Sequence, residues 1–591
     1  MHFTGIYEDE IKGQAYDRKL LWRFAGYLRP YRLLVASTLA ILPLTTAAKL
    51  AQPLLVKKAI DSHIVTGDLT GLSLVAFWYL LLILAEGALA FLEVWSLQYL
   101  GQRVMQDLRL NLFSHVQRLA PSFFDRTPTG SLVTRLTNDV EVLGEMFAAG
   151  IITVVGDILL LAGIVGTMLW LNLKLSLITF TVLPLLFWIT FTFRRRMRAA
   201  FRQVRARLSN LNTFLNENIT GMAVVQLFNR QAAEQAEFRR LNAEYRDANL
   251  PVITWDASLY AAVEALSSVA VGLLIWYGGG EIVQGALTFG ALVAFIQYIE
   301  KFFAPIRDLS AKYSVMQGAM AALERIFNLL DTREQLPEAP AAAAVTPPRP
   351  AQRIEFRDIC FAYNGDADVL KNFSLTLRRG ETVALVGETG GGKTTVTRLL
   401  SRLYDPRQGG ITLDGIDLRQ IPLGELRRRI GVVLQDPFLF TGTIEENICL
   451  GDEAVRPRVR EASRLVGADR LIDRLPQGYS EEVRERGSNF SAGEKQLISF
   501  ARAVAFDPEI LVLDEATASV DTESERLIQE GLRGLMAGRT TLVVAHRLST
   551  IRDADRIVVI HRGEKMEEGS HDELMAQQGL YYRLHQLQFR E

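Results

Sequence analysis

Six apolar stretches, at about 33–56, 72–100, 150–171, 175–193, 257–278 and 286–308, each approach the ~20 residues that a helix needs to cross a bilayer. Lipid offers no hydrogen-bond partner to a backbone amide or carbonyl, so segments of this kind are confined to helices. The first half of the chain is therefore expected to be an all-α membrane domain of six spans. The whole-chain figures, 49% hydrophobic with a net charge of −1, conceal this because the apolar residues crowd into that half. At 591 residues the chain also exceeds what one core can organise, and at least two domains are expected. The first thirty residues lack an apolar core with a small-residue cleavage site, so no removable signal peptide is expected and insertion rests on the first span.

Charge fixes the expected orientation. Only Asn172, Leu173 and Lys174 separate the third and fourth stretches, and a Gly-rich turn near 278–285 separates the fifth and sixth, so these turns share one side. Long polar segments, 101–149 and 194–256, follow the second and fourth stretches. The later one opens with Arg194, Arg195, Arg196 and Arg198, and the N-terminal stretch carries Arg18, Lys19, Arg23, Arg29 and Arg32. By the positive-inside rule that face is cytoplasmic, with both termini inside a cytoplasmic (inner) membrane. Helical spacing of Val104, Leu108, Leu112, Val116 and Leu119 marks the polar segments as extensions of the membrane helices. Cys360 and Cys449 both fall in the polar C-terminal half and are expected to be packing thiols without a disulfide.

Past a helix running to about Asp331, Pro and Ala without periodicity at 337–351 suggest a linker, which sets the expected domains at 1–335 and 352–591 with 336–351 between them. From Ile354 short β-rich runs alternate with helical stretches, as in an α/β domain on a largely parallel sheet. Within it, Gly387-Glu388-Thr389-Gly390-Gly391-Gly392-Lys393-Thr394 follows the apolar strand Val383 to Val386 and opens a helical run beginning at Thr395. That context makes it a phosphate-binding loop and leaves little room for a chance glycine turn. Glycines let backbone N–H groups approach phosphate oxygens and the helix dipole adds positive potential. Lys393 is expected at the β- and γ-phosphates and Thr394 at Mg²⁺. The strand Ile510 to Leu513 ends in Asp514 and Glu515. An apolar strand ending in two acids is weak evidence alone, but beside a phosphate loop it places Asp514 at Mg²⁺ and Glu515 at the attacking water.

The order of these motifs resembles the ATP-binding cassette family over essentially the whole chain. The resemblance implies a type IV exporter fold, an α/β P-loop NTPase domain after the six-helix domain, and ATP with Mg²⁺ as cofactors. It also assigns further residues: Tyr363 stacks on adenine, Gln435 in GVVLQDPFLF senses the γ-phosphate and metal, His546 in VVAHRLST bonds the γ-phosphate, and Asp521 lies in the loop that meets the opposite subunit. Taken singly, residues of these types are usually structural. The segment Ser488 to Gln496 stands where the family's signature is expected, keeping Ser491 and Gly493 but departing from its pattern at Phe490, Ala492 and Glu494. In the family that segment closes over the nucleotide of the other half, so the resemblance implies a second half-transporter as partner. A heterodimer is favoured over a homodimer because this chain pairs a full catalytic set with an altered signature.

Segments 123–140 and 216–231 resemble the two coupling regions of the exporter branch. The function implied is ATP-driven export of amphiphilic small molecules, multidrug in type, with membrane lipids as surroundings and no nucleic-acid partner. A lipid or lipid-precursor floppase uses the same fold. A metal or thiol-conjugate exporter is a further alternative, although the spans hold no cysteine and no histidine cluster, and a non-transport ATPase is opposed by the six spans. Glu86, Asp157 and Glu264 fall in three spans, with Lys49 read as the one cation well inside a span. Intramembrane acids are costly. Lining a cavity, these would favour cationic cargo, with Trp95 and Trp188 supplying apolar surface; paired with each other or with Lys49, they would be structural.

Overall fold

The computed structural model describes residues 17–149, 151–337, 345–363, 367–514, 522–545 and 548–588. The chain divides into two compact units, the first comprising Met1–Gln117 with Thr129–Thr332, the second Arg118–Pro128 with Arg333–Glu591.

The first unit is helical, and among the described residues six helices are long and apolar enough to cross a membrane. We label its long helices α1 (Arg32–Ala59), α2 (Leu69–Val116), α3 (Ile151–Leu171), α4 (Leu183–Thr220, preceded by the short helix Leu173–Phe180), α5 (Gln231–Val283) and α6 (Phe289–Asp331). The polar segments do continue the membrane helices: the 48 residues of α2 rise about 72 Å, more than twice the ~30 Å hydrocarbon core. Between α4 and α5 the chain turns through the six-residue helix Met222–Leu227, leaving Leu227 and Phe228 exposed.

Polar side chains close several helix ends and cross-brace the bundle. Asp68 caps α2 by accepting from the Gly71 amide at 3.0 Å. Asp61 accepts from the Thr288 hydroxyl at 2.7 Å and the Gly290 amide at 2.8 Å, while Thr288 itself caps α6 through the Ala291 amide. A Cβ at residue 290 would stand 2.6 Å from the Lys57 carbonyl oxygen, so the approach of these two helix ends requires glycine there. Buried Asp139 binds Arg325 on α6, with one N···O distance of 2.9 Å.

The intramembrane acids have partners. Asp157 on α3 is ion-paired with Lys312 on α6, and Glu86 on α2 accepts from the Gln52 amide. Lys301 on α6 donates to the Gln52 side-chain oxygen at 2.7 Å and to the Lys49 carbonyl at 2.9 Å. Lys301 lies within the sixth span, so Lys49 is not the one cation there, and it reaches Glu86 through the bridging Gln52. Glu264 is also engaged in an interaction. Neither acid takes a partner the sequence suggested, the other acid or Lys49: Asp157 pairs with Lys312 of α6, and Glu86 is bonded to Gln52.

The second unit is α/β. Its strands are β1 (Arg353–Phe361), β2 (Leu370–Arg378), β3 (Thr382–Val386), β4 (Gln408–Leu413), β5 (Ile416–Asp417), β6 (Ile430–Val433), β7 (Gly442–Thr443), β8 (Glu482–Val483), β9 (Ile510–Asp514), β10 (Thr540–Val544), β11 (Arg556–His561) and β12 (Glu564–Gly569). A six-stranded sheet runs β12-β11-β3-β10-β9-β6, parallel throughout except for β12, and a four-stranded antiparallel sheet runs β2-β1-β4-β5. Strands β3, β9 and β10 are almost wholly buried and read as continuous apolar runs, as strands covered on both faces do. The Pro-rich stretch is not a bare tether over its described part. Fully buried Arg429 donates to the Pro347 and Pro348 carbonyls at 2.6 and 2.9 Å, and Arg402 to that of Pro337 at 2.6 Å.

Removing one member of a paired charge costs more than removing both. Asp157→Asn is expected to lower the melting temperature of the solubilised protein, at a cost of about 2 kcal/mol, and Lys312→Met added to it is expected to restore most of the loss. Additive losses measured in the double variant would exclude a stabilising pair.

Candidate functional site

Parallel register assembles the site. Leu385 of β3 stands opposite Val544 of β10, and Val544 opposite Asp514 of β9, so these three residues form one row at the carboxyl ends of their strands. In the same sheet Val433, the last residue of β6, pairs with Leu513. The loop from Gly387, the acid Asp514 and the segment leading to Gln435 therefore all leave from a single sheet edge, which is where open α/β sheets hold ligands.

The loop is shaped by its glycines. At Gly387 an added Cβ would lie 2.0 Å from the Ile560 carbonyl oxygen of neighbouring β11, and at Gly392, with φ of +104°, it would meet Leu370 at 2.8 Å and the Val369 carbonyl at 3.1 Å. Gly391 donates to the Glu388 carbonyl at 3.1 Å and accepts from the Gly563 amide, which fixes the middle of the turn containing Thr389 and Gly390. The helix α7 (Lys393–Leu400) begins immediately after Gly392.

Lys393 is 6% exposed and folds back over the loop, donating to the Gly387 and Glu388 carbonyls at 2.8 Å each. Burial pushes its ammonium below the usual lysine range, and the negative charge of Asp514 opposes that shift, so the two side chains share one electrostatic environment. Thr394 is half-buried in the first turn of α7. Thr395 is buried, and its hydroxyl lies 3.1 Å from that of Tyr363. Gln435 is exposed two residues beyond β6.

Tyr363 belongs to a three-ring cluster. It meets Phe361 at 4.9 Å and Tyr404 at 5.2 Å between centroids, with interplanar angles of 84° and 87°, and the guanidinium of Arg398 lies 5.7 Å from its centroid. Arg398 and Tyr404 escaped the reading of the sequence, although both fall within eleven residues of Lys393 on the same run of chain.

Ser491 and Gly493 sit on a different element, the N-terminus of α8 (Ala492–Ala505). The Ser491 hydroxyl accepts from the Glu494 amide at 3.3 Å, and the Glu494 carboxylate accepts from the Ser491 amide at 2.8 Å, a reciprocal cap that uses both side chains. Glu494, a departure from the expected signature, is thus a good helix-starting residue in its own chain. Glu515, Asp521 and His546 lie outside the described residues.

Comparison with known proteins places both units in known families. The family described as ABC transporter transmembrane region matches residues 35–306, and that described as ABC transporter matches 370–518. A probable multidrug resistance ABC transporter ATP-binding/permease protein of Bacillus subtilis is 39% identical over 497 residues, 83% of this chain and 73% of the relative. An ATP-dependent lipid A-core flippase of Syntrophus aciditrophicus is 36% identical over 570 residues, 96% of this chain and 94% of the relative. Among solved structures, a bacterial Atm1-family ABC exporter with ATP bound superimposes with a TM-score of 0.77 at 29% identity, covering 95% of this chain and 99% of its own.

Gly387→Ala must displace backbone, whereas Gly380→Ala, at φ +73° with nothing within 4 Å, meets only the left-handed penalty of about 1 kcal/mol. The first variant is expected to lower the melting temperature clearly more than the second, and equal shifts in a thermal scan would contradict the packing described for the loop.

Proposed function

Because the chain belongs to the ABC transporter family, we propose that it is one half of a dimeric exporter in which ATP bound at the β3, β9 and β10 edge drives an amphiphile across the membrane. The observation that carries this reading is the row of Leu385, Val544 and Asp514, which sets a phosphate loop beside an acid in a chain that also has six candidate spans. The protein is an ATP-hydrolysing membrane transporter. Its finer chemistry follows from the residues. In this reading Gly387 to Thr395 cradle the phosphates, Lys393 exchanges its loop carbonyls for phosphate oxygens, and Tyr363 offers its ring to adenine. Glu515 orients the attacking water, Gln435 and His546 attend the γ-phosphate, and Ser491 and Gly493 face the nucleotide of the partner half.

The donor set suits magnesium. Thr394 offers a hydroxyl, Asp514 a carboxylate and Gln435 an amide oxygen, all hard oxygen ligands, and Lys393 already responds to the charge of Asp514. Mg²⁺ held there would neutralise charge on the phosphate oxygens. Location in the cytoplasmic membrane with the nucleotide-binding unit inside follows from the arginines opening the 194–256 segment.

A heterodimer remains our preferred assembly. Glu494 holds a carboxylate at the amino end of α8, where a partner's γ-phosphate would otherwise find bare N–H groups, and like charges there disfavour tight closure. As to cargo, the ion pair of Asp157 with Lys312 offsets one of the negative charges on which selection of cations would rest. We therefore place amphiphilicity before charge as the selected property. A lipid floppase is the second reading, favoured by the relative named as a lipid A-core flippase.

Lys393→Ala is expected to abolish ATP-dependent transport while membrane insertion persists; normal transport by that variant would refute the site. Expressed alone the chain is expected to hydrolyse ATP poorly, and with its partner half, Glu515→Gln is expected nearly to abolish turnover. Robust hydrolysis and transport by the chain alone would establish a homodimer.

A further inference from the structure

The second unit contains a side-chain route that the proposed chemistry does not use. Tyr404 is 8% exposed, and its ring closes the cluster with Tyr363 and Phe361, lying 5.7 Å from the latter at 68°. Its hydroxyl, at the far end of that ring, donates to the carboxylate of Asp125. Asp125 is on the six-residue helix Pro121–Arg126, inside the Arg118–Pro128 segment that belongs to the second unit yet is continuous in sequence with α2. The segment is held there by more than one bond: the Ala120 amide donates to the Glu334 carbonyl at 2.7 Å, Arg126 pairs with Glu334, and Phe123 is buried. Arg398 lies beside the same group, over the Tyr363 ring and within the field of Asp125.

These contacts form one mechanical unit. Edge-to-face rings present positive edges to negative faces, so a ring that turns takes its neighbour with it. The Tyr363 hydroxyl is anchored to Thr395 on the helix that follows the phosphate loop, which leaves rotation about that anchor as its easy motion. The bond from Tyr404 to Asp125 is charge-assisted and formed by a nearly buried donor, so it is directional and costly to leave unmade.

We propose that Tyr404 is a positioning residue: through its edge contact with Tyr363 and its hydrogen bond to Asp125, it makes the placement of Arg118–Pro128 depend on a purine base seated against Tyr363. The inference rests on the reading that Tyr363 faces adenine. It assigns to the base, as distinct from the phosphates, a role in setting the segment that follows α2 in the chain. Tyr404→Phe keeps all three rings and removes only the hydroxyl, and Asp125→Asn removes only the acceptor's charge.

The test compares a ligand with a base to one without. The full assembly in lipid nanodiscs is loaded with Mg²⁺ and either a non-hydrolysable ATP analogue or inorganic tripolyphosphate, and hydrogen exchange is followed in peptides covering 387–395 and 118–128. Both ligands are expected to slow exchange in 387–395, but only the nucleotide in 118–128, by at least about five-fold. Tyr404→Phe and Asp125→Asn are each expected to remove that second effect, the double variant adding nothing further, while the ATP KM and basal ATPase rate stay within about two-fold of the parent. Protection of 118–128 that persists in Tyr404→Phe, that tripolyphosphate reproduces, or that falls additively in the double variant overturns the proposal. Tyr363→Ala separates the two levels. If it leaves nucleotide affinity unchanged, adenine is not on Tyr363 and the site reading fails; if affinity drops yet Tyr404→Phe still protects 118–128, only the positioning role falls.

Discussion

The parallel register of β3, β10 and β9 is the constraint on which the second unit depends. A shift of one residue in either pairing would turn Asp514 to the other face of its strand and take its carboxylate out of the field of Lys393. The strands themselves are held by burial. Leu385, Val544 and Leu513 are each under 3% exposed, in strands whose near-continuous apolar runs are covered on both faces. The loop then inherits its position from the strand, and its glycines allow the chain to pass within contact of β11 without a side chain in the way. Lys393 lies over the loop, its ammonium donating to the Gly387 and Glu388 carbonyls.

Much of this was legible in the sequence because it is local. An apolar stretch of about twenty residues announces a spanning helix whatever lies beside it, and the phosphate loop carries its strand and helix with it in one short run. Glu494 could be read as an anomaly or as a helix starter, and the reciprocal cap with Ser491 accounts for its local fit. What stayed hidden depends on residues far apart in the chain. Lys312 meets Asp157 across 155 positions and Tyr404 meets Asp125 across 279, and no periodicity records either encounter. The anchoring of the Pro-rich linker was hidden for a related reason. Composition speaks for a tether, but Arg402 and Arg429 take its carbonyls as ligands, and a buried arginine's need for acceptors is not written in the segment that supplies them.

The two units are stabilised in different ways, as their surroundings require. In the first, polar braces such as Asp139 with Arg325 and Asp157 with Lys312 join helices whose outer surfaces remain apolar: Phe77, Trp78, Phe91, Trp170 and Trp276 are all more than half exposed. In lipid the hydrophobic effect does not distinguish one helix from another as neighbour, so packing and polar contacts select partners. In the second, two buried apolar clusters on the faces of the six-stranded sheet supply the cohesion, and charged groups such as Arg556 with Glu381 sit at its margin.

Asp61 deserves a last consideration as a matter of leverage. One carboxylate at the end of α1 satisfies the Gly290 amide in the first turn of α6 and the hydroxyl that caps the same turn, and the absence of a side chain at Gly290 lets the two backbones close on each other. Parting them there would leave the Gly290 amide without its acceptor, while Asp61 would keep only Lys57, 3.3 Å away on its own helix. The tips of α1 and α6 consequently behave as a welded corner. Any bending in this half of the protein meets its stiffest resistance at that corner.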